Sequence, residues 1–476
     1  MIDFLRKKIT ANSNIRFEHK PTRTCSFGSW LILLFVFINI NLHAQQNTEA
    51  SRLDIIKFGT ETEIANLIQT IRTENVDYLD DELIALVDNT RNQRILTGVF
   101  GFFGEREKAG LETRALRAIT EREDETNETV LSAIDYLGRI KSAKAVPVLI
   151  EILDTEERRF LNAGFRALGR AGSASGELAD EAADFLIDYY SNREPGNENR
   201  SVIITAIGAT GSKKGVKLLS EIAVNTDERI PLRIAALDAL SKTGDSEGLD
   251  AVLTCVAASD PNVRSAAVAA LGPFSGDRVD AAILDAFRDS YYRSRLAAAQ
   301  ASRERKLAAA VPFLKFRAER DDVPNVRDEA IRALGAIANN EAIEILESLF
   351  LERKNSDRIR ILAADMLMKN TNGKDFSKLV IELNEAKTKN QNNLYNGFLR
   401  IVGETVIEGD KTEITNIAVR FFQTGTVMEK LYALDIAANN NLTSLREHII
   451  TLTKDRNESI ARKARRIAEG LGIELE

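Results

Sequence analysis

The stretch DPNVRSAAVAALG, at residues Asp260–Gly272, has apolar side chains at three- and four-residue steps, the pattern of an amphipathic helix. Nearly the same stretch returns as VPNVRDEAIRALG at Val323–Gly335, and a related one, ERIPLRIAALDALSKTG, fills Glu228–Gly244. A helix that recurs with the same apolar face cannot bury that face alone. The repetition therefore predicts stacked copies of one helical unit rather than a series of independent domains.

The residue that closes each such helix serves as an anchor for measuring the repeat. Successive anchors are 31–39 residues apart, about 33 on average. The anchors are Gly104, Gly138, Gly169, Gly208, Ser241, Gly272, Arg303, Gly335, Met368, Gly403, Ala438 and Gly470. A second apolar helix, such as AVPVLIEIL at Ala145–Leu153, lies between consecutive anchors. We therefore predict an all-α fold, a right-handed α-solenoid of about twelve helix pairs.

Two kinds of residue are expected at the ends of these helices. Glycine at the anchors suits a helix C-terminus, where a left-handed residue is least costly as glycine. Asp260, Asp322 and Asp357 stand near the starts of the second helices, where a carboxylate caps free N–H groups or faces the helix dipole.

The quoted stretches resemble HEAT repeats, in particular the short type also found in phycobilin lyases. The resemblance runs from about Thr90 to the C-terminus, and residues 45–89 read as a more degenerate N-terminal helical cap. In that family the ALG-type helices line the concave face of the stack. The resemblance implies the family's common role, which is to bind other proteins as a scaffold.

The N-terminus has a different composition. Trp30–Ile40 reads WLILLFVFINI, basic residues precede it, and the small residue Ala44 follows it. This order predicts a secretory signal peptide over residues 1–44 and a protein exported to the bacterial periplasm. The alternative is an uncleaved anchor, in which case residues 30–40 would be the one route to membrane association.

The net charge and the histidine content indicate which partners and which kinds of site to expect. The net charge is −7, and removal of the basic N-terminus would make it more negative, which argues against nucleic acid as a partner. Of His19, His43 and His448, the last alone would survive cleavage, so we expect no catalytic histidine, no metal site and no cofactor. A lyase-like enzyme or small-ligand binder with a carboxylate-lined concave pocket remains the alternative to a scaffold.

An arginine recurs eight residues before six consecutive anchors, a set that we call the Arg ladder. Its members are Arg200, Arg233, Arg264, Arg295, Arg327 and Arg360. We interpret the ladder as structural, each guanidinium tying its helix to carbonyls or to an aspartate of the neighbouring unit. The alternative is a track of positive charge for an anionic polymer.

One segment departs from the acidic character of the chain. Between Arg288 and Arg320 the net charge is +6, and two tyrosines accompany the basic residues. Tyrosine and arginine are enriched in interface hot spots, so this segment is the predicted contact for an acidic protein or an anionic lipid. The candidate partner-binding residues are Tyr291, Tyr292, Arg293, Arg305, Lys306 and Arg317. The alternative is a solvated edge paired with acidic neighbours.

Overall fold

The computed structural model describes residues 49–193, 195–373 and 375–475, and all regular structure in these ranges is helical. The predicted fold class, an all-α solenoid of helix pairs, is confirmed. Residues 1–44, the predicted signal peptide with its Trp30–Ile40 segment, lie outside the described ranges.

The helices follow one another through short connections. In chain order they are α1 (49–58), α2 (Glu61–Glu74), α3 (Asp80–Asn89), α4 (Gln93–Glu105), α5 (Glu112–Thr120), α6 (Asn127–Arg139), α7 (Ala145–Asp154), α8 (Arg158–Gly172), α9 (Gly176–Asn192), α10 (Asn197–Thr210), α11 (Val216–Val224), α12 (Ile230–Thr243), α13 (Leu249–Val256), α14 (Pro261–Ala270), α15 (Asp277–Ala286), α16 (Tyr292–Glu304), α17 (Val311–Arg320), α18 (Pro324–Ile337), α19 (Asn340–Leu351), α20 (Asp357–Asn370), α21 (Phe376–Thr388), α22 (Asn392–Glu404), α23 (Thr412–Thr424), α24 (Val427–Asn439), α25 (Arg446–Leu452) and α26 (Glu458–Gly470).

The chain divides into two compact units, the first ending at Phe103 and the second covering Gly104–Glu476. In the second unit the helices pair in sequence, from α5 with α6 to α25 with α26. We call the first helix of each pair the A helix and the second, which leads to the anchor, the B helix. The boundary at residues 89 and 90 that the sequence suggested for the cap lies between α3 and α4.

Consecutive B helices approach each other closely because glycine stands where they touch. A Cβ atom on Gly138 would lie 2.7 Å from the Ala167 Cα atom. On Gly208 it would lie 2.6 Å from the Ala239 Cα atom. Both glycines are inside their helices, at anchor positions. The absence of a side chain therefore lets one helix backbone rest against the next.

The expectation that anchor glycines adopt the left-handed conformation is wrong, since none of the twelve anchors has a positive φ. The left-handed residue comes three positions after the anchor in seven repeats, where the chain leaves the B helix. These residues are Glu107, Lys141, Gly211, Gly244, Lys306, Ala338 and Asn441. Five of the seven are not glycine. The position of the left-handed residue is therefore set by the hydrogen bonds at the helix end and not by the presence of glycine.

The aspartates predicted near helix starts do not all cap their helices. The Asp260 carboxylate accepts hydrogen bonds from the N–H groups of Asn262 and Val263, with Pro261 at the first helical position of α14. Asp322 does not cap α18, because its carboxylate binds Arg295 at 2.6 Å. Capping therefore varies from repeat to repeat.

The core of the second unit consists of aliphatic side chains from both helices of each pair. In the α11–α12 pair, Leu219 of the A helix and Ala236, Leu237 and Leu240 of the B helix are fully buried. Burying one leucine side chain contributes about 1.5–3 kcal/mol. Cys255 of α13 is buried as a free thiol, 3.2 Å from the Ala223 carbonyl oxygen, and fills the role of a small core residue.

Candidate functional site

The Arg ladder lies on the edge of the stack where A helices end and B helices begin. The Arg264 Nε and Nη2 atoms donate to the Asp289 carboxylate at 2.8 and 3.0 Å. The Arg264 Nη1 atom donates to the carbonyl oxygens of Ala258 and Ser259, at 3.0 and 2.9 Å. One guanidinium therefore joins the loop of its own repeat to the aspartate of the next repeat.

The same geometry returns one repeat later. Arg295 binds the Asp321 carboxylate at 2.7 and 2.8 Å and the Asp322 carboxylate at 2.6 Å. Its Nη1 atom donates to the carbonyl oxygens of Asp289 and Ser290. Because both the arginine and Asp321 are almost fully buried, each supplies the charge that makes burial of the other tolerable.

The other ladder arginines each bind a main-chain carbonyl, a polar side chain or both. The partners are Tyr190 and Glu228 for Arg200, the Ala223 carbonyl for Arg233, the Asp321 carbonyl for Arg327, and the Phe350 carbonyl and Glu382 for Arg360. Their guanidinium groups therefore face the chain's own oxygen atoms.

Asp289 illustrates the electrostatics of this edge. The Arg264 guanidinium and the Tyr291 backbone N–H lower the pKa of Asp289 to about 2, against the opposing effect of burial. The carboxylate is therefore ionised at neutral pH and stays so in moderately acidic solution.

Three of the six predicted partner-binding residues lie at the N-terminal end of α16. The Tyr291 hydroxyl donates to the Asn262 Oδ1 atom at 2.9 Å, and its ring lies 5.6 Å from the Tyr292 ring. The exposed Arg293 guanidinium lies about 6 Å from both rings. These residues form a small aromatic and cationic surface.

Arg305 and Lys306 lie at the opposite end of the same helix. Thirteen residues of α16 separate the two ends by about 18 Å at 1.5 Å per residue. The Arg305 guanidinium binds the Asp280 carboxylate at 2.7 Å and also the Phe274 carbonyl oxygen. Lys306 is exposed and takes the left-handed conformation after the helix. Five of the six candidates therefore lie at the two ends of α16, and the sixth, Arg317, lies on α17.

Arg317 lines a groove that was not predicted from the sequence. Its lining residues are Arg288, Pro312, Phe313, Phe316 and Arg317, around a volume of about 370 Å³, and we call it the basic–aromatic groove. Phe316 is 48% exposed. The Arg317 and Arg320 guanidinium groups lie 5.1 and 5.8 Å from its ring centroid. An exposed phenylalanine between two cations is a surface for a partner of complementary chemistry.

Phe313 connects the groove to the buried core. The Phe313 ring stacks on the buried Phe287 ring at 5.7 Å, and the Arg288 guanidinium lies 4.9 Å from Phe313. The signal in the sequence was the spacing of Phe313 and Phe316, three residues apart on α17. They stand outside the buried stripe of Val311, Leu314 and Ala318.

Buried carboxylates also lie on two adjacent B helices. Asp328 and Glu329 of α18 and Asp365 of α20 are nearly inaccessible to solvent. Each is ion-paired, Asp328 with Arg358, Glu329 with Arg303 and Asp365 with Lys369. A cavity of about 150 Å³ lies beside Asp365 and Glu404.

Among the described residues, none of the helices combines the length and apolar character needed to cross a membrane. In the same ranges, no group of three or more histidine, cysteine, aspartate or glutamate residues is arranged to hold a metal ion.

The family model described as "Spirochaete HEAT repeat protein" matches residues 56–467. The chain belongs to this HEAT-repeat family. The finer resemblance to phycobilin-lyase-type HEAT repeats stays a prediction. No curated protein matches the chain.

Several solved structures are similar to the chain at low identity. Kap121p is 10% identical with a TM-score of 0.44, and importin beta in an ammonium sulfate condition is 11% identical with a TM-score of 0.45. Each match covers 88% of this chain, and the chain spans 53% of the Kap121p structure and 72% of importin beta. Human deoxyhypusine hydroxylase is 18% identical over 63% of this chain and 99% of its own, with a TM-score of 0.24.

Proposed function

We propose that this HEAT-repeat protein is a non-enzymatic interaction scaffold that binds a protein partner through the basic–aromatic groove. The observation that carries the proposal is the exposed Phe316 ring between Arg317 and Arg320. Exposing a phenylalanine to water is unfavourable, and a partner that covers it recovers that free energy.

The partner that fits this groove is an acidic segment that carries an apolar side chain. The apolar group would cover Phe316 and Phe313, and the carboxylates would pair with Arg288 and Arg320. Arg317 is mostly buried and already contacts the Asp321 carboxylate at 3.4 Å. Of these cations, Arg288 is 65% exposed and pairs with the similarly accessible Asp285 carboxylate, so it can exchange partners at small cost.

We also propose that the scaffold works outside the cytoplasm, in the bacterial periplasm. The proposal rests on the order of basic residues, apolar run and small residue that ends at Ala44. N-terminal sequencing of the exported protein should start at residue 45. A sequence that retains residues 30–40 would instead favour a membrane-tethered adaptor.

The groove is tested by chemical crosslinking and recovery of the tagged chain from its native cell, followed by mass spectrometry. The test variant is Phe316→Ala with Arg320→Glu. The matched control, Ile381→Ala with Arg353→Glu, changes another exposed apolar residue and an exposed arginine elsewhere. We expect one acidic protein in stoichiometric amount with wild type and control, and a loss of at least about tenfold with the groove variant.

Equal recovery of the same partner by wild type and groove variant would contradict the groove as the contact. If no protein is recovered and a bound small molecule is, a second candidate function gains support. That function is a small-ligand binder or lyase-like enzyme, and the buried Asp328, Glu329 and Asp365 on adjacent B helices are the observation in its favour.

A further inference from the structure

Phe58, the last residue of α1, is an exposed aromatic residue outside the basic–aromatic groove. It is 82% exposed, the largest value among the large apolar residues of the described ranges that are open to solvent. The chain turns directly after it, since the Gly59 N–H donates to the Ile55 carbonyl oxygen at 2.9 Å and α2 begins at Glu61. A fully exposed phenylalanine ring is a feature that a binding partner would cover.

The junction between α1 and α2 holds Phe58 in a defined position. The Glu63 carboxylate accepts from the Thr60 backbone N–H at 2.8 Å, and the Thr60 hydroxyl oxygen accepts from the Glu63 N–H at 3.3 Å, which together form a capping box. Ile56, two residues before Phe58, is buried and fixes the end of α1. Binding a partner at this junction therefore requires little ordering of the backbone.

Acidic side chains surround Phe58. Asp54 lies one helical turn before it, Glu61 and Glu63 follow it, and all three are exposed. With Lys57 as the opposing charge, residues 54–63 carry a net charge of −2. The described part of the first unit, residues 49–103, holds ten acidic and five basic residues. We call Asp54, Phe58, Glu61 and Glu63 the Phe58 surface.

Two of these carboxylates accept hydrogen bonds from uncharged groups. The Asn92 side-chain amide donates to Glu61 at 2.6 Å, and Thr60 binds Glu63. Neither group neutralises the carboxylate that it binds. The Phe58 surface therefore keeps its negative charge for a cationic partner.

The basic–aromatic groove has the complementary character. Its exposed Phe316 lies beside the exposed Arg320, and the segment from Arg288 to Arg320 has a net charge of +6. The groove fits an acidic segment that carries an apolar side chain, and the Phe58 surface is a segment of this kind. Two phenylalanine rings also pack favourably in offset or edge-to-face arrangements.

We propose that the partner of the basic–aromatic groove is a second copy of this chain, which sets its Phe58 against Phe316. The acidic side chains of the Phe58 surface would then lie near Arg288 and Arg320. The proposal rests on the proposed function, because it uses the same groove. The contact joins two different surfaces, so each copy carries both halves of a heterologous interface. A single aromatic contact with a few charges at its rim is typical of a weak, transient association.

The test is sedimentation velocity on the purified protein, in the form that its native cell produces, at concentrations from about 1 to 100 µM. We expect wild type to self-associate increasingly over this range. The cap variant, Phe58→Ala with Asp54→Lys, should weaken the association at least about tenfold. The groove variant, Phe316→Ala with Arg320→Glu, should do the same. The control, Ile381→Ala with Arg353→Glu, should associate like wild type.

Mixing the two test variants gives the most specific result. The cap variant keeps an intact groove, and the groove variant keeps an intact Phe58 surface. An equimolar mixture should therefore form a one-to-one dimer and nothing larger, although each variant alone stays monomeric. Circular dichroism verifies that both variants are folded, as expected for changes at exposed positions.

Three results would overturn the proposal. These are a wild-type protein that stays monomeric at the highest concentration, a cap variant that associates like wild type, and a mixture of the two variants that stays monomeric. None of them contradicts the groove itself if crosslinking in the native cell still recovers a different acidic protein through Phe316. Failure of the proposed function is recognised separately, because the groove variant would then lose no partner in the cell.

Discussion

At the scale of single residues, the repeat separates two roles that glycine often combines. Glycine at Gly138 and Gly208 allows helix contact, and the left-handed turn three residues after an anchor is made by whichever residue stands there. Ala338 and Lys306 hold that conformation with φ near 50°. A left-handed residue with a Cβ atom costs about 1–2 kcal/mol relative to its preferred conformation.

Ala338→Gly should therefore stabilise the protein by about 0.5–1 kcal/mol, since relief of the left-handed strain outweighs the added freedom of the unfolded chain. Urea denaturation followed by circular dichroism measures the change. Ala336→Gly is the matched control, because residue 336 lies within α18, where glycine should cost about 0.5–1 kcal/mol. Destabilisation by both substitutions would show that the turn is not strained.

Asp289→Asn should remove the charge that pairs with Arg264. The folded-state pKa of about 2 lies below the ordinary value of 3.8, so the stabilisation is present above pH 4 and is lost as the pH falls toward 2. We expect a loss of about 2 kcal/mol at pH 7. We also expect a flatter dependence of stability on pH between 4 and 2. Denaturant titrations at several pH values measure both.

The control for this prediction is Asp250→Asn, which removes an exposed carboxylate that faces Arg278. It should change stability by less than about 0.5 kcal/mol at any pH. If Asp289→Asn behaves in the same way as this control, the ladder contact contributes nothing measurable to stability.

At the scale of helices, the recurring units were predictable because each carries the same apolar spacing and the same anchor. The partners of the ladder arginines were not, because Asp289 and Asp321 stand in loops 25 and 26 residues after their arginines. The exposed Phe316 was missed for a related reason. Periodicity marks apolar positions, and only the packing of α17 shows which of them remain uncovered.

Gly208→Ala tests the close contact between consecutive B helices. Its new Cβ atom would meet Ala239 at 2.6 Å, so we expect a loss of about 1–3 kcal/mol despite the better helix propensity of alanine. Gly470→Ala is the control, because its Cβ atom would meet no atom within 4 Å. Urea denaturation of both variants measures the difference. A neutral Gly208→Ala would mean that the helices separate freely at this point.

At the scale of the whole molecule, uniform stacking explains the fold, and we place the partner-binding groove where the repeat departs from uniformity. The basic–aromatic groove occupies the segment in which arginine replaces the anchor glycine, at Arg303. The sequence revealed this departure as a cluster of positive charge.

The most direct test of the scaffold account is site-specific photocrosslinking in the native cell, with benzoyl-phenylalanine in place of Phe316. The same group at position 381, another exposed apolar site on an A helix, is the comparison. The account predicts one adduct of defined mass with an acidic protein from position 316 and none of that mass from position 381. No adduct at 316, or the same adducts from both positions, would contradict the claim that the groove binds the partner.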